Sequence, residues 1–218
     1  MTRARIRGVI FDLDGTLYTL RMLKFRMALA LWRSLSLLRR INASRRAIRG
    51  TTFPDRDALL AALYGELAGR AGTTVERAAA WYDGEFMPAF VALLGRRAVV
   101  RPGLAALLER LRRRGVRTAV LSDFGRVGER VSALGLDPAQ FDDLVAAEDH
   151  GVLKPSAVPF EAVARRWELG AAEIVVVGDR EDLDAASARA AGMEFVGVRI
   201  WQDASSAVEA RTELGVAT

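Results

Sequence analysis

After Arg101 the sequence alternates between helical and extended segments, and this order constrains the fold more than any other feature. The segment "RPGLAALLERLRRRG" opens with proline and ends with glycine, the asymmetry expected of helix ends. The extended segment "VRTAVLSD" follows, and helix and strand then alternate as far as "EFVGVRI". Alternation of this kind is typical of a parallel sheet covered by helices. The sequence therefore predicts an α/β fold.

A buried strand of the same kind lies at the start of the sequence. The run "IRGVIFDLD" is apolar and contains β-branched residues. About eighty residues of mostly helical pattern separate it from the alternating region. The simplest arrangement is a Rossmann-like parallel sheet flanked by helices, with an all-helical cap inserted after the first strand. We predict residues 1–17 and 99–218 as the core domain and residues 18–98 as the cap domain.

The composition excludes several kinds of site. The sequence has no cysteine and one histidine, His150, which excludes disulfides, thiolate metal sites, a cysteine nucleophile and a multi-histidine zinc site. No charge-free stretch reaches the roughly 18 residues of a membrane-spanning helix, and the first residues lack the pattern of a cleaved signal peptide. We therefore expect a soluble, cytoplasmic protein.

Polar side chains stand where the predicted strands end. They are Asp12, Asp14, Ser122, Asp123, Asp179 and Asp184, accompanied by Lys154 in the loop "GVLKPS". The carboxyl ends of parallel strands meet at one edge of a sheet, where such folds bind their ligands. So many carboxylates repel one another unless a cation neutralises them. Oxygen ligands without histidine or cysteine suit Mg²⁺.

A hard metal ion, a lysine and a hydroxyl group around carboxylates suit phosphoryl transfer. One carboxylate can attack phosphorus, and a second can move the proton of the leaving group and of water. The metal ion, Lys154 and Ser122 would stabilise charge on the transferring oxygens. Gly15, directly after the first pair of aspartates, permits a sharp turn and a close approach of the substrate.

Four motifs in this order resemble those of the phosphatase branch of the haloacid dehalogenase-like hydrolase superfamily, the phosphoglycolate phosphatase-like proteins in particular. The first is "DLDGT", the second is Ser122 in "VLSD", the third is Lys154 in "LKPS", and the fourth is the acidic pair in "GDREDLD". A later "AGM" also matches the family pattern. The resemblance covers the chain outside the predicted cap.

The resemblance implies a role for each matching residue. Asp12 would be the nucleophile and Asp14 the general acid and base. The Mg²⁺ ligands would be Asp12, the backbone carbonyl of Asp14, and Asp179, with Asp184 supporting the metal or Lys154. The residues expected at the phosphate are Gly15, Thr16, Ser122, Asp123 and Lys154. Asp123 departs from the asparagine that the family often has there, and the presence of Asp14 favours a phosphate over a halide substrate.

The resemblance implies a Mg²⁺-dependent phosphomonoester hydrolase that acts on a small phosphorylated metabolite through an aspartyl-phosphate. Two alternatives stay open. A phosphomutase of the same superfamily would retain the phosphoryl group by excluding water, which depends on how the cap closes. A catalytically silent binding or regulatory protein could share the fold, although the complete set of motif residues argues against it.

The stretch from Arg21 to Arg49 holds nine basic residues, and no acidic residue lies between Asp14 and Asp55. We favour cap helices that pack their apolar side chains and expose the arginines. One alternative is recognition of an anionic substrate, and the other is contact with an anionic membrane surface. No motif supports nucleic-acid binding, and the sequence leaves the oligomeric state undetermined.

Overall fold

The computed structural model describes residues 5–198. The strands in this range are β1 (Gly8–Asp12), β2 (Tyr18–Thr19), β3 (Val99–Val100), β4 (Arg117–Ser122), β5 (Asp143–Ala146), β6 (Ile174–Gly178) and β7 (Glu194–Gly197). The α-helices are α1 (Leu23–Ala30), α2 (Leu35–Ile48), α3 (Arg56–Ala71), α4 (Val75–Trp81), α5 (Met87–Arg97), α6 (Leu104–Arg113), α7 (Val127–Ala133), α8 (Val158–Trp167) and α9 (Ala186–Ala190).

The first strand of the chain occupies the centre of a parallel sheet. Within the described range this sheet has five strands in the order β5-β4-β1-β6-β7, and Phe11 of β1 pairs with Val120 on one side and Val177 on the other. Alternate side chains of β1 point to opposite faces, so Val9 and Phe11 join one apolar cluster and Ile10 joins another. The predicted Rossmann-like α/β fold is confirmed.

The helices α1 to α5 lie between two short strands that pair with each other. In this antiparallel pair, Tyr18 lies opposite Val100 and Thr19 lies opposite Val99. The chain therefore leaves the sheet after β1 and returns beside the point where it left. Arg101 follows immediately and anchors the return, because its backbone N–H donates to the carbonyl oxygen of Leu17 at 3.0 Å.

The sequence predicted one helix over "TTVERAAAWYDGEFMPAFVALL", whereas the structure has α4, a π-helical turn at Tyr82–Phe86 and then α5. Pro88 explains the difference. Proline has no N–H to donate, and its ring clashes with the carbonyl four residues earlier in a regular helix. The wider turn relieves this clash, and the N–H of Met87 bonds the carbonyl oxygen of Tyr82, five residues back.

The basic stretch forms α1, a short 3₁₀ turn at Trp32–Ser34, and α2. Its apolar side chains divide into two groups. Met27, Leu37, Ile41 and Ile48 are buried, as the packing interpretation predicted. A second group is 61–68% exposed, and comprises Phe25 and Leu29 of α1, Met22 just before it and Trp32 in the turn after it.

Among residues 5–198, no helix combines the length and the apolar character needed to cross a membrane. The predicted last strand, "EFVGVRI", is observed as β7 up to Gly197. Its final two residues, 199 and 200, lie outside the described range.

Candidate active site

Lys154 lies at the centre of the strand ends. It occupies the loop before α8, and its buried ammonium group donates to Asp12 Oδ1 at 2.7 Å, Asp184 Oδ1 at 2.8 Å and the carbonyl oxygen of Leu121 at 3.2 Å. An ammonium group has three protons, and each has an acceptor here. Burial disfavours its charge, but attraction by Asp12 and Asp184 wins and raises the pKa of Lys154 above its ordinary value. Lys154 therefore stays positively charged between these two carboxylates.

Asp12 lies at the end of β1 and is held by Thr16 as well as by Lys154. The Thr16 hydroxyl donates to Asp12 Oδ2 at 2.8 Å, so the structure places Thr16 against the predicted nucleophile. Burial raises the pKa of Asp12 to about 7, with repulsion from Asp184 and Asp14 adding to it and Lys154 opposing it. The positive charge of Lys154 alone does not neutralise the negative charges of Asp12, Asp14 and Asp184.

Three of these carboxylates lie close enough to share one cation. Asp12, Asp179 and Asp184 each offer one oxygen, and these oxygens lie within 4.8 Å of one another. Burial and repulsion from Asp184 raise the pKa of Asp179. Oxygen ligands alone, with negative charge in excess, fit a hard divalent cation. The donor set is therefore compatible with the metal predicted from the sequence.

Gly15 makes the close approach of Asp179 possible. Its φ is +89°, in the left-handed region, and a Cβ atom at this position would overlap the carboxylate of Asp179. Arg101 holds the same turn from outside, because its guanidinium donates to the carbonyl oxygens of Gly15 at 2.5 Å and Thr16 at 2.8 Å. The turn after β1 is thus fixed between Asp179 and Arg101.

Asp184 reaches the site from a π-helical turn at Glu181–Ala185, directly after β6. The N–H of Ala185 bonds the carbonyl oxygen of Arg180, five residues back. The second oxygen of Asp184 accepts from the N–H of Arg180 at 3.1 Å. Gly178 leaves room for this side chain, because a Cβ atom there would lie 2.5 Å from Cβ of Asp184.

Asp14 contacts Ser122 of the second motif and two residues outside the motifs, Arg130 and Tyr18. Arg130, buried on α7, forms an ion pair with its carboxylate. The Tyr18 hydroxyl donates to Oδ1 at 2.5 Å and the Ser122 hydroxyl donates to Oδ2 at 3.1 Å. Burial alone would raise the pKa of Asp14, but attraction by Arg130 and the hydrogen bonds hold it below its ordinary value.

Sequence reasoning missed Arg130 and Tyr18. A weak signal existed for Arg130, because it lies on the same helix face as Val127 and Val131, which are both buried. An arginine among apolar neighbours at this spacing must find a buried acceptor. Its guanidinium also lies 4.9 Å from the centre of the Phe90 ring.

The second motif lies close to the helices between β2 and β3. Ser122 accepts from Arg130 Nη1 at 2.9 Å and from the N–H of Phe124 at 3.2 Å. The carboxylate of Asp123, predicted at the phosphate, accepts from the backbone N–H of Lys154 at 2.8 Å and from Arg49 at 3.3 Å. Asp123 therefore links the third motif to α2, a position that the motif alone did not indicate.

A cavity of about 390 Å³ opens between the strand ends and α1 and α2. The carboxylate side consists of Asp12, Asp14, Asp123, Asp179, Asp182 and Asp184, with Lys154 and Arg180 among them. The opposite side is lined by Lys24, Asn42, Arg45, Arg46 and Arg49. Six of the nine predicted site residues line this cavity: Asp12, Asp14, Asp123, Lys154, Asp179 and Asp184. The other three contact them without lining the cavity, because Thr16 donates to Asp12, Ser122 donates to Asp14, and Gly15 leaves room for Asp179.

The arginines of α2 were predicted to be exposed, but Arg45 is buried. Its guanidinium donates to the carbonyl oxygen of Asp123 at 2.9 Å, and its Cζ atom lies 3.9 Å from the centre of the Phe124 ring. The carboxylate of Glu148 is also buried and forms ion pairs with the guanidinium groups of Arg45, at 3.9 Å, and Arg56, at 3.4 Å. The fixed position of Arg45 holds α2 over the cavity.

Known proteins resemble this chain in sequence or in fold. A curated glyceraldehyde 3-phosphate phosphatase from Methanocaldococcus jannaschii is 28% identical, with 86% of this chain and 82% of that protein covered. A 2-haloacid dehalogenase from Pseudomonas syringae pv. Tomato has a similar crystal structure (TM-score 0.63, 24% identity, 91% and 89% of the two chains covered). So has a β-phosphoglucomutase from Clostridium difficile (TM-score 0.65, 17% identity, 97% and 100% covered). These two structures support the fold.

The profile of the haloacid dehalogenase-like hydrolases matches residues 6–192. This range includes all four motifs and the helices between β2 and β3. The match, together with strand ends that gather the motif residues around Lys154, shows that the chain belongs to the haloacid dehalogenase-like hydrolase family.

Proposed function

We propose that the protein is a Mg²⁺-dependent phosphomonoester hydrolase that acts on a small phosphorylated metabolite through an aspartyl-phosphate on Asp12. The observation that carries this proposal is the position of Asp12 at the cavity, bonded to Lys154 and within 4.8 Å of carboxylate oxygens of Asp179 and Asp184. The similarity to a glyceraldehyde 3-phosphate phosphatase supports phosphate ester hydrolysis as the reaction.

In the first step, an oxygen of Asp12 attacks phosphorus and the bond to the ester oxygen breaks. Asp14 is ionised beside Arg130, so it must take up a proton as the substrate binds, and it then gives this proton to the departing oxygen. Arg130 then stabilises the carboxylate that Asp14 becomes, and it does so more strongly than it stabilises the neutral acid. In the second step, Asp14 takes a proton from water, the water oxygen attacks phosphorus, and the bond from phosphorus to Asp12 breaks.

Lys154 lines the cavity and stabilises charge on the phosphoryl oxygens. The Ser122 hydroxyl donates to Asp14 in this structure and would have to redirect its proton to a phosphoryl oxygen. Lys154 remains charged throughout, because Asp184 holds it independently of Asp12. The Mg²⁺ ion would be held by Asp12, the backbone carbonyl of Asp14, Asp179 and Asp184, and it would supply positive charge to the phosphoryl oxygens.

We also propose that the chain forms two domains. The core comprises residues 1–17 and 99–218, and the cap comprises residues 18–98. The paired strands β2 and β3 support this boundary, because both connections between the two parts pass through them. The cap would then supply the substrate-facing side of the cavity.

Hydrolysis of p-nitrophenyl phosphate, with Mg²⁺ present or removed by a chelator, tests the proposed reaction. We expect Mg²⁺-dependent release of phosphate that Asp12→Asn abolishes. The matched control is Asp57→Asn, which changes an exposed carboxylate in the first turn of α3 and should retain full activity. Folded, Mg²⁺-loaded protein that releases no phosphate would instead favour a binding protein.

A further inference from the structure

The charges around the cavity are separated by the elements that carry them. The acidic residues come from the strand ends and the segments after them, whereas α1, α2 and the residue that ends α2 contribute Lys24, Arg45, Arg46 and Arg49 and no acidic residue. The phosphoryl chemistry uses the strand-end side. The basic side needs a separate explanation.

The basic residues of α2 lie on one face of the helix. Asn42, Arg45, Arg46 and Arg49 recur at intervals of three and four residues, so they lie on the same side. Arg45 lies at the edge of this face, next to the buried residues Leu37, Ile41, Ser44 and Ile48, and is itself buried. Arg39 and Arg40 are exposed and do not line the cavity. Some arginines of this stretch are therefore simply solvated, but a distinct subset faces the site.

These cations differ in how well they are neutralised. Arg45 is fully engaged by Asp123, Tyr82 and Glu148. Arg49 has one ion pair, with Asp123 at 3.3 Å, and its Nε atom is buried without a hydrogen-bond partner. A buried donor without a partner is unfavourable, and a ligand acceptor would relieve this cost.

The side chains of Arg46 and Lys24 have no ionic or hydrogen-bond partner among residues 5–198. Both are exposed, both line the cavity, and neither forms an ion pair or a side-chain hydrogen bond with a described residue. A ligand in the cavity therefore meets two unneutralised charges and one partly satisfied guanidinium. Arginine side chains bind carboxylates and phosphates with charge-assisted, often bidentate hydrogen bonds.

We propose that the substrate carries a second anionic group, a carboxylate or a second phosphate, and that Arg46, Arg49 and Lys24 bind it. This inference rests on the proposed phosphatase function and specifies its substrate class. The phosphate to be hydrolysed lies at Asp12, and the second anion lies across the cavity against α1 and α2. A cavity of about 390 Å³ has room for a compact metabolite that spans the two sides.

Matched pairs of phosphate esters test the proposal, because each pair differs in the second anion alone. One pair is 2-phosphoglycolate and ethyl phosphate, which tests a carboxylate. The other is propane-1,3-diol bisphosphate and its monophosphate, which tests a phosphate. We expect at least one pair to show a kcat/KM ratio of about tenfold or more in favour of the doubly anionic ester, as a hydrogen bond to a charged group predicts.

Variants then assign the preference to the cavity. In the double variant Lys24→Gln/Arg46→Gln the ratio should fall towards one, and the fold should be retained, because both side chains are exposed. The matched control Arg39→Gln removes an exposed charge of the same helix that does not line the cavity. It should leave the ratio as in the wild type.

Two results would overturn the inference. Ratios near one for both pairs in the wild type would show that no second anion is recognised, and a ratio that the double variant leaves unchanged would show that other residues recognise it. Either result leaves the proposed function intact as long as the esters are hydrolysed. If no ester in the panel yields phosphate with Mg²⁺, the proposed function itself fails.

Discussion

The carboxylate of Asp14 is enclosed by Arg130, Tyr18 and Ser122, and this arrangement would couple the proposed chemistry to the stability of the fold. Arg130 is fully buried, so its charge depends on Asp14 for compensation. The motif in the sequence predicted that Asp14 would be placed beside Asp12. It could not predict Arg130, which is 116 residues away and reaches Asp14 through the packing of α7.

The variant Asp14→Asn should be less stable than the wild type by about 3 kcal/mol at neutral pH, because it leaves the charge of Arg130 buried without a counter-ion. The pKa of Asp14 is lowered in the folded state. This stabilisation is therefore present above the unfolded-state pKa of about 4 and is lost as the pH falls through the lower, folded-state value.

Denaturant unfolding measured at about pH 7 and at successively lower pH checks this prediction. The difference between wild type and Asp14→Asn should shrink as the solution becomes acidic, whereas Asp57→Asn should resemble the wild type throughout. A difference that stays the same at low pH would mean that the ion pair does not stabilise the fold.

A second residue-scale prediction concerns Gly15. In Gly15→Ala, the new methyl group overlaps the carboxylate of Asp179, so we expect weaker Mg²⁺ activation in addition to backbone strain of about 1 kcal/mol.

The matched control is Gly135→Ala, where φ is +75° and no atom lies within 4 Å of the added carbon. It should show the strain without the metal effect. The measurements are thermal unfolding and the Mg²⁺ concentration that gives half-maximal activity, and equal Mg²⁺ dependence in both variants would contradict this role of Gly15.

Among the elements, two π-helical turns mark where the sequence pattern stopped predicting the structure. One is the turn before Pro88, and the other places Asp184 beside Lys154. Apolar periodicity predicts a helix, but it does not show where the backbone hydrogen bonds reach five residues back instead of four. The strand ends were predictable because buried parallel strands form continuous apolar runs, and those runs end at the motif residues.

Helix α1 presents two apolar faces, and they should respond differently to substitution. Met27 is buried, so Met27→Ala should lower the free energy of unfolding by about 2–5 kcal/mol. Leu29 is 68% exposed, so Leu29→Ala should change it by no more than about 0.5 kcal/mol. Denaturant unfolding of both variants is the measurement. A large loss of stability in Leu29→Ala would show that the exposed apolar side chains of α1 are covered in solution.

For the whole molecule, the distribution of charge matters more than the net charge of +5. The basic residues of α1 and α2 face the acidic strand ends across one cavity, and Arg45 and Arg56 hold the two parts together through Asp123 and Glu148. The sequence showed that the basic stretch and the acidic motifs exist. It did not show that they face each other, because that depends on how β2 and β3 orient the inserted helices.

This arrangement predicts a salt dependence of substrate capture. The value of kcat/KM for an anionic ester should fall as NaCl rises from about 0.01 M to about 0.5 M, because screening weakens the attraction of the basic side for the ester. Steady-state kinetics in the wild type and in Lys24→Gln/Arg46→Gln check this, and the slope should be shallower in the variant. A kcat/KM independent of salt in the wild type would contradict an electrostatic role for this side of the cavity.

In the proposed reaction Asp12 carries the phosphoryl group and Asp14 moves the protons, and a rapid-mixing experiment on Asp14→Asn separates these two roles. p-Nitrophenolate leaves without needing a proton, so the first step should still proceed while hydrolysis of the phosphoenzyme is slowed. With Mg²⁺ present, folded Asp14→Asn should release one equivalent of p-nitrophenolate in a burst. Peptide mass mapping of the acid-quenched protein should place the phosphoryl group on Asp12, and Asp12→Asn should show neither result. Steady hydrolysis by Asp14→Asn at the wild-type rate would contradict the role of Asp14, and a phosphoryl group on another residue would contradict the role of Asp12.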